Sequence, residues 1–171
     1  MRVFYSIHVP RNTGVQILKE CGVQPSIQWY PEENLHITIR FVGEVADGDV
    51  SFLKEIGFLV AERIPEFSVT PEKFSIKDQR LRLLMEEKSE LAMLHEHIVL
   101  CLDRAGIGKP DPNPYTPHVT LGRIAGSSFI DSPTIDVSRL IFSVSEFGLY
   151  KSEPGKNQMG VYTPVEIFPL Q

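Results

Sequence analysis

Two short stretches of this chain repeat one alternating pattern, HITI at residues 36–39 and HVTL at residues 118–121. In a β-strand successive side chains point to opposite faces. His36 and Thr38 therefore share one face and Ile37 and Ile39 the other, while His118 and Thr120 are set against Val119 and Leu121 in the same way. An aliphatic face anchors a strand in a core, so the polar face must look into water or into a cleft. A single His-x-Thr strand is an ordinary exposed sheet face. Two are not, because the scarcity of His and Thr gives roughly 0.2 such matches by chance in this chain. The pairing predicts a fold in which two half-buried strands present imidazoles and hydroxyls to one shared space.

The remaining sequence fits that demand. With 171 residues, 42% of them hydrophobic, the chain is long enough for one globular domain or two small halves sharing a core. No apolar run reaches the length of a membrane span, and MRVFYSIHVPRN is too polar for a signal peptide. Cys21 and Cys101 have no metal-site or disulfide spacing, so a reducing, cytoplasmic setting is expected. A net charge of −5 disfavours a broad grip on duplex DNA but not a local basic pocket for a small anion.

Periodicity and punctuation predict the order of elements. Arg2–Val9 reads as a strand, and Asn12 or Thr13 caps a helix to Cys21, stopped by Gly22. Ser26–Tyr30 and Leu35–Val42 read as strands. Asp47 or Asp49 caps a helix over Val50–Arg63, with Phe52, Leu53, Ile56, Leu59 and Val60 at helical spacing. Glu66–Ile76 and Arg80–Glu86 form a hairpin, and Ser89 caps a helix over Glu90–Arg104 that buries Leu91, Leu94, Ile98 and Leu102. The proline-rich loop Gly106–Pro117 leads into the strand His118–Ile124, and Asp136–Tyr150 and Gly160–Phe168 are the last strands. This order predicts an α+β fold: two pseudo-symmetric lobes of antiparallel sheet with outer helices, each carrying one His-x-Thr strand, about a central groove.

Two imidazoles facing one groove suit a reaction that needs one general base and one general acid. Two threonine hydroxyls beside them can donate to phosphoryl oxygens, and such positioning dominates phosphoryl-transfer catalysis. Arg123 is the further candidate for phosphate, provided that Gly122 permits a bulge to correct its parity. Arg40 shares parity with His36 and Thr38 and is expected at the groove's rim. Phe4, Trp29, Phe41, Tyr115 and Tyr150 are candidates to stack on a base. A zinc site is disfavoured, since neither strand offers a second ligand nearby. His95 and His97, two apart in a helix, share no face, and His8 reads as structural.

The paired H-[IV]-T-[IL] strands resemble the 2H phosphoesterase superfamily, and more closely the RNA 2′,3′-cyclic phosphodiesterases, also called LigT-like or 2′-5′ RNA ligase proteins. The resemblance spans nearly the whole chain, from the opening MRVFYSIHVP through ENLHITIRFVGEV and TPHVTLGRI to the closing FGLYKSEPGKNQMGVYTPVEIFPL. It implies metal-independent opening of a 2′,3′-cyclic phosphate to a 2′-phosphate, with no cofactor, with weak reverse ligation, and with RNA ends or small nucleotides as partners of a monomer. It assigns His118 as base and His36 as acid, Thr38 and Thr120 to the phosphate, and Arg123 with them. The residues alone leave the two histidines' roles interchangeable. The segment before Trp29 and the Gly106–Pro114 loop depart from the family pattern and bear on which ends fit. A non-catalytic nucleotide-binding module, or an esterase for another cyclic or 2′-5′ nucleotide, would use the same groove.

Overall fold

The computed structural model describes residues 1–126, 130, 133–156 and 159–171. Asn157 and Gln158 of the closing motif lie outside that set. Among the described residues it contains ten strands and three α-helices, a mixed α+β architecture built on antiparallel pairing. The strands are β1 (Arg2–His8), β2 (Ile27–Trp29), β3 (His36–Glu44), β4 (Phe67–Val69), β5 (Pro71–Lys77), β6 (Arg80–Met85), β7 (His118–Ile124), β8 (Phe142–Val144), β9 (Glu146–Pro154) and β10 (Gly160–Pro169). The helices are α1 (Arg11–Cys21), α2 (Val50–Ala61) and α3 (Ser89–Ala105). One sheet runs β10-β9-β1-β3-β7-β6-β5, with β2 also paired to β7, and β4 and β8 form a separate ribbon.

The seam between β3 and β7 organises the molecule. The two strands share a single ladder pair, Ile37 opposite Val119, and then part. Further along the same edge of β7, β2 takes over, pairing Ile27 to Ile124 and Trp29 to Gly122. β2 and β3 thus form one interrupted edge, broken by Pro31 and a 3₁₀ turn at Glu32–Asn34 that lifts the chain away just before His36. On one side of the seam β3, β1, β9 and β10 form an antiparallel ribbon; on the other, β7, β6 and β5 do the same.

The cores confirm the periodicity in most places and correct it in some. Tyr5, Ile7, Ile37, Ile39, Leu83, Val119 and Leu121 are almost wholly buried, as alternation requires. On α3, Leu91, Leu94, Ile98 and Leu102 are all buried. On α2 only Leu53, Ile56 and Val60 of the five expected positions are buried, whereas Phe52 and Leu59 are exposed. The expected side-chain caps are also absent. Pro10 precedes α1, Asp49 precedes α2 without a capping hydrogen bond, and Lys88 rather than Ser89 stands at the cap of α3. The expected single strand 66–76 is two, because Phe67–Val69 pairs with β8 rather than with β6. Likewise the first part of 136–150 is a 3₁₀ turn, Val137–Leu140. At the β5–β6 hairpin Asp78 and Gln79 both have positive φ, the geometry of a two-residue turn whose twist matches its strands.

No helix among the described residues is long and apolar enough to cross a membrane.

Candidate active site

The seam brings both His-x-Thr motifs to one place. Because Ile37 lies opposite Val119 in an antiparallel pair, His36 falls opposite Thr120 and Thr38 opposite His118. All four are half-buried, whereas Ile37, Ile39, Val119 and Leu121 are buried on the other face. Two imidazoles and two hydroxyls thus sit at alternating corners of a quadrilateral, with the aliphatic pair beneath its centre.

Each imidazole is held in the same manner. His36 Nδ1 donates to the Asn34 carbonyl at 2.7 Å, and His118 Nδ1 donates to the Thr116 carbonyl at 2.8 Å. A carbonyl can only accept, so Nδ1 carries the proton and Nε2 is left as the working nitrogen: a base when free, an acid when protonated. Asn34 also donates from Nδ2 to the Gly160 carbonyl at 3.1 Å, tying the His36 anchor to β10.

Their surroundings differ. His36 packs against Phe4 at 5.2 Å, Tyr162 at 5.0 Å and the His8 ring at 5.6 Å between centroids. Burial pushes its pKa down to about 4; the Asn34 carbonyl opposes this, and the His8 and His118 imidazoles add to it. His8 in turn stacks on Tyr150 at 4.2 Å, and burial lowers its pKa too. Burial likewise lowers the His118 pKa against the pull of the Thr116 carbonyl, but there the Arg82 and Lys77 cations lower it further.

A cavity of about 220 Å³ opens beside His118 and Thr38, and Lys77, Arg82, Tyr115 and Asp111 line it as well. Arg82 donates from Nη2 to Ser75 Oγ at 3.2 Å, and its buried Nε has no hydrogen-bond partner among the described residues. Arg40 lines this cavity too. It is buried, its guanidinium donates to the Lys109 carbonyl and lies 3.8 Å from Asp111, and it clamps the proline-rich loop to β3. Tyr115 helps by donating to the Thr38 carbonyl at 3.3 Å and stacking on His95 at 3.9 Å.

Arg123 gains its parity through a bulge. Leu81 pairs with Gly122 but Arg82 with Thr120, so Leu121 is the extra residue in β7. Gly122 makes this possible, since a Cβ there would stand 2.8 Å from the Gln28 carbonyl oxygen. Arg123 then lies opposite Arg80 and Gln28, beyond the residues that line the 220 Å³ cavity. Of the aromatic candidates, Phe41 lines that cavity, half-exposed under the Arg2 guanidinium, whereas Phe4 and Tyr150 are packed against the His36 cluster. Trp29 packs on the core.

Lys77, Arg82, His8 and Tyr162 are the site's additions to the sequence reading. His8 was legible in part, as it alternates with Phe4 and Ser6. Arg82 and Lys77 carry no local signal, since only the β6–β7 and β5–β6 pairings bring them near His118. Among the described residues no group of three or more His, Cys, Asp or Glu side chains is placed to hold a metal ion.

Comparison with known proteins agrees with the fold. Residues 15–83 match the family model described as LigT like Phosphoesterase. The chain is 29% identical to an RNA 2′,3′-cyclic phosphodiesterase of Methanocaldococcus jannaschii, over 96% of this chain and 94% of that protein. A similarly named protein of Thermotoga maritima is 28% identical over 72% of this chain and 70% of its own. Among solved structures, E. coli LigT complexed with 3′-AMP superposes with a TM-score of 0.82 at 25% identity, covering 99% of this chain and 97% of that one. In sequence and in fold, this chain is similar to the LigT-like phosphoesterases.

Proposed function

We propose that the protein hydrolyses 2′,3′-cyclic phosphate ends of RNA, or of small nucleotides, to 2′-phosphates without a metal ion. In this reading residues 1–171 act as one two-lobed domain. The observation that supports it is the crossing at Ile37 and Val119, with two Nδ1-anchored imidazoles and two threonines on the same face of the adjoining strands. The relatives' names and the 3′-AMP complex of E. coli LigT support a nucleotide in that space.

The Thr38 and Thr120 hydroxyls donate to the non-bridging phosphate oxygens, and Arg82 adds a charged donor from the cavity wall. His118 Nε2, kept neutral by burial and by its cationic neighbours, removes a proton from water as the water oxygen attacks phosphorus. The P–O3′ bond breaks, and the departing O3′ takes a proton from His36 Nε2, leaving a 2′-phosphate. His36 is neutral in the free protein at neutral pH, given a pKa of about 4. The substrate's own negative charge raises that pKa, so the phosphate brings with it the condition for protonating its acid. The same step with a 5′-hydroxyl in place of water, its proton taken by His118 and O3′ leaving as before, forms a 2′-5′ linkage.

The test uses protein treated with EDTA and a cyclic-phosphate-ended oligonucleotide beside mononucleotide 2′,3′-cyclic phosphates. Turnover to a 2′-phosphate, read by ³¹P NMR, is expected. An intact cyclic phosphate in both substrates overturns the activity. A 3′-phosphate product overturns the assignment of the leaving oxygen, and dependence on an added divalent ion overturns the metal-free mechanism.

A further inference from the structure

The 220 Å³ cavity is smaller than the roughly 300–1,000 Å³ usual for ligand pockets, so it has room for a reacting phosphate and its sugar but not for a strand. A larger cavity of about 630 Å³ lies on the other side of the His36 cluster. Arg2 and Lys151 line it from the β1–β9 side, Tyr30 and Arg80 from the β2–β6 side, and Tyr162 between them. Tyr162 is the partition: its ring meets His36 at 5.0 Å, and the Arg2 and Arg80 guanidiniums and the Tyr30 phenol all act on its hydroxyl. The position is built, because a Cβ on Gly160 would stand 2.7 Å from the Tyr162 ring. Lys151 is partly neutralised by Glu153 at 2.8 Å, and Glu44 also lines the wall, so Arg2 and Arg80 are the cations the cavity offers an anion.

We infer that this cavity is the path of the RNA strand leading away from the reacting end, with a backbone phosphate between Arg2 and Arg80 and a base against Tyr30. The inference rests on the activity proposed above. A 2′,3′-cyclic phosphate closes the 3′ end of a strand, so the chain can leave the site only through the 5′ oxygen of the terminal nucleoside. Tyr162 borders both His36 and this cavity, so a strand leaving the reacting end past that ring enters it. Guanidinium pairs match phosphate oxygens, and phenol rings stack on bases of any sequence. The protein is thus an enzyme of RNA termini whose grip extends at least one nucleotide beyond the bond it opens.

The experiment compares kcat/KM for a short oligonucleotide ending in 2′,3′-cyclic phosphate with that for the matching mononucleotide, across salt concentrations. The oligonucleotide should be favoured by about tenfold or more, with a steeper salt dependence whose extra slope is about −0.7 for each backbone phosphate held. In R2Q and R80Q together, that preference and the extra slope should collapse, while K19Q, which removes a cation from exposed α1, should leave both in place. Anisotropy binding of an oligonucleotide ending in a 3′-phosphate reads the same path without turnover. Turnover of both substrates with a preference near one overturns the strand path and leaves the activity standing. Tight, arginine-dependent binding without turnover of either substrate overturns the activity and keeps the path. Neither turnover nor binding overturns both.

Discussion

His36 and His118 occupy equivalent places in the same four-residue pattern, yet their neighbours are of different kinds. His36 is enclosed by Phe4, Tyr162 and the His8 ring, and no cation is among the groups that shift its pKa. His118 stands beside a cavity whose wall carries Arg82 and Lys77. An apolar enclosure favours the neutral imidazole until an anion arrives, whereas around His118 cations add to burial in favouring the neutral form. The first suits a group that must become an acid only when substrate is bound, and the second suits a base. In the proposed reaction the repeated motif would supply the two titrating groups, and the unrepeated surroundings would divide their labour.

The strongest way to break this comparison is to remove each histidine. H36A and H118A should each lower turnover by about two to four orders of magnitude. On a substrate whose leaving oxygen needs no proton, H36A should recover most of its rate and H118A should not. Recovery of both to the same degree would show that the surroundings do not divide the roles.

Removing a cation from the His118 side should cost less. R82A should lower kcat/KM by about ten- to a hundredfold, through loss of a charged hydrogen bond to phosphate. It should also raise the pKa of His118, moving the acidic limb of the kcat/KM profile to higher pH. An unmoved limb would mean that Arg82 does not govern the base.

Stability should show the same asymmetry. Histidines whose folded pKa lies below the unfolded value bind fewer protons when folded. Their contribution is therefore full above about pH 6.5 and lost as the pH falls towards the folded values. With its pKa at about 4, His36 alone should contribute an acid destabilisation on the order of 3 kcal/mol between those limits, the larger part of the effect. Urea unfolding at a series of pH values should show H36Q flattening that slope more than H118Q; equal flattening would contradict the difference in enclosure.

The threonines should matter least. T38V and T120V each remove one hydroxyl donor while keeping the branched shape, and about a three- to tenfold fall in turnover is expected from each. A loss as large as that of a histidine would point to a role in proton transfer.

The catalytic candidates were legible because alternation acts locally. A strand's parity follows from its own residues, so His36, Thr38, His118 and Thr120 could be put on one face without knowing what lay beside them. Arg123 was harder, since its parity is set by the bulge at Leu121, which only the β6–β7 register reveals. Arg40 lines the cavity, as its parity predicts, but has a second task that parity does not show. Its length lets it fold under the loop and satisfy the Lys109 carbonyl. Phe52 and Leu59 fit the helical period of α2 yet remain exposed, because the face that α2 buries against β9 and β10 is narrower than its apolar stripe. At α1 the expected cap failed because Pro10 already presets the entry to the helix.

The single ladder pair between β3 and β7 has a mechanical consequence. A pair of scissors changes the gap between its blades without moving its rivet, and Ile37 and Val119 are the rivet here. A small rotation of one ribbon against the other displaces the outer walls in proportion to their distance from that point. The four polar side chains sit immediately above it and keep their spacing. Such a jaw can open for ends of different bulk while the atoms that react stay in register.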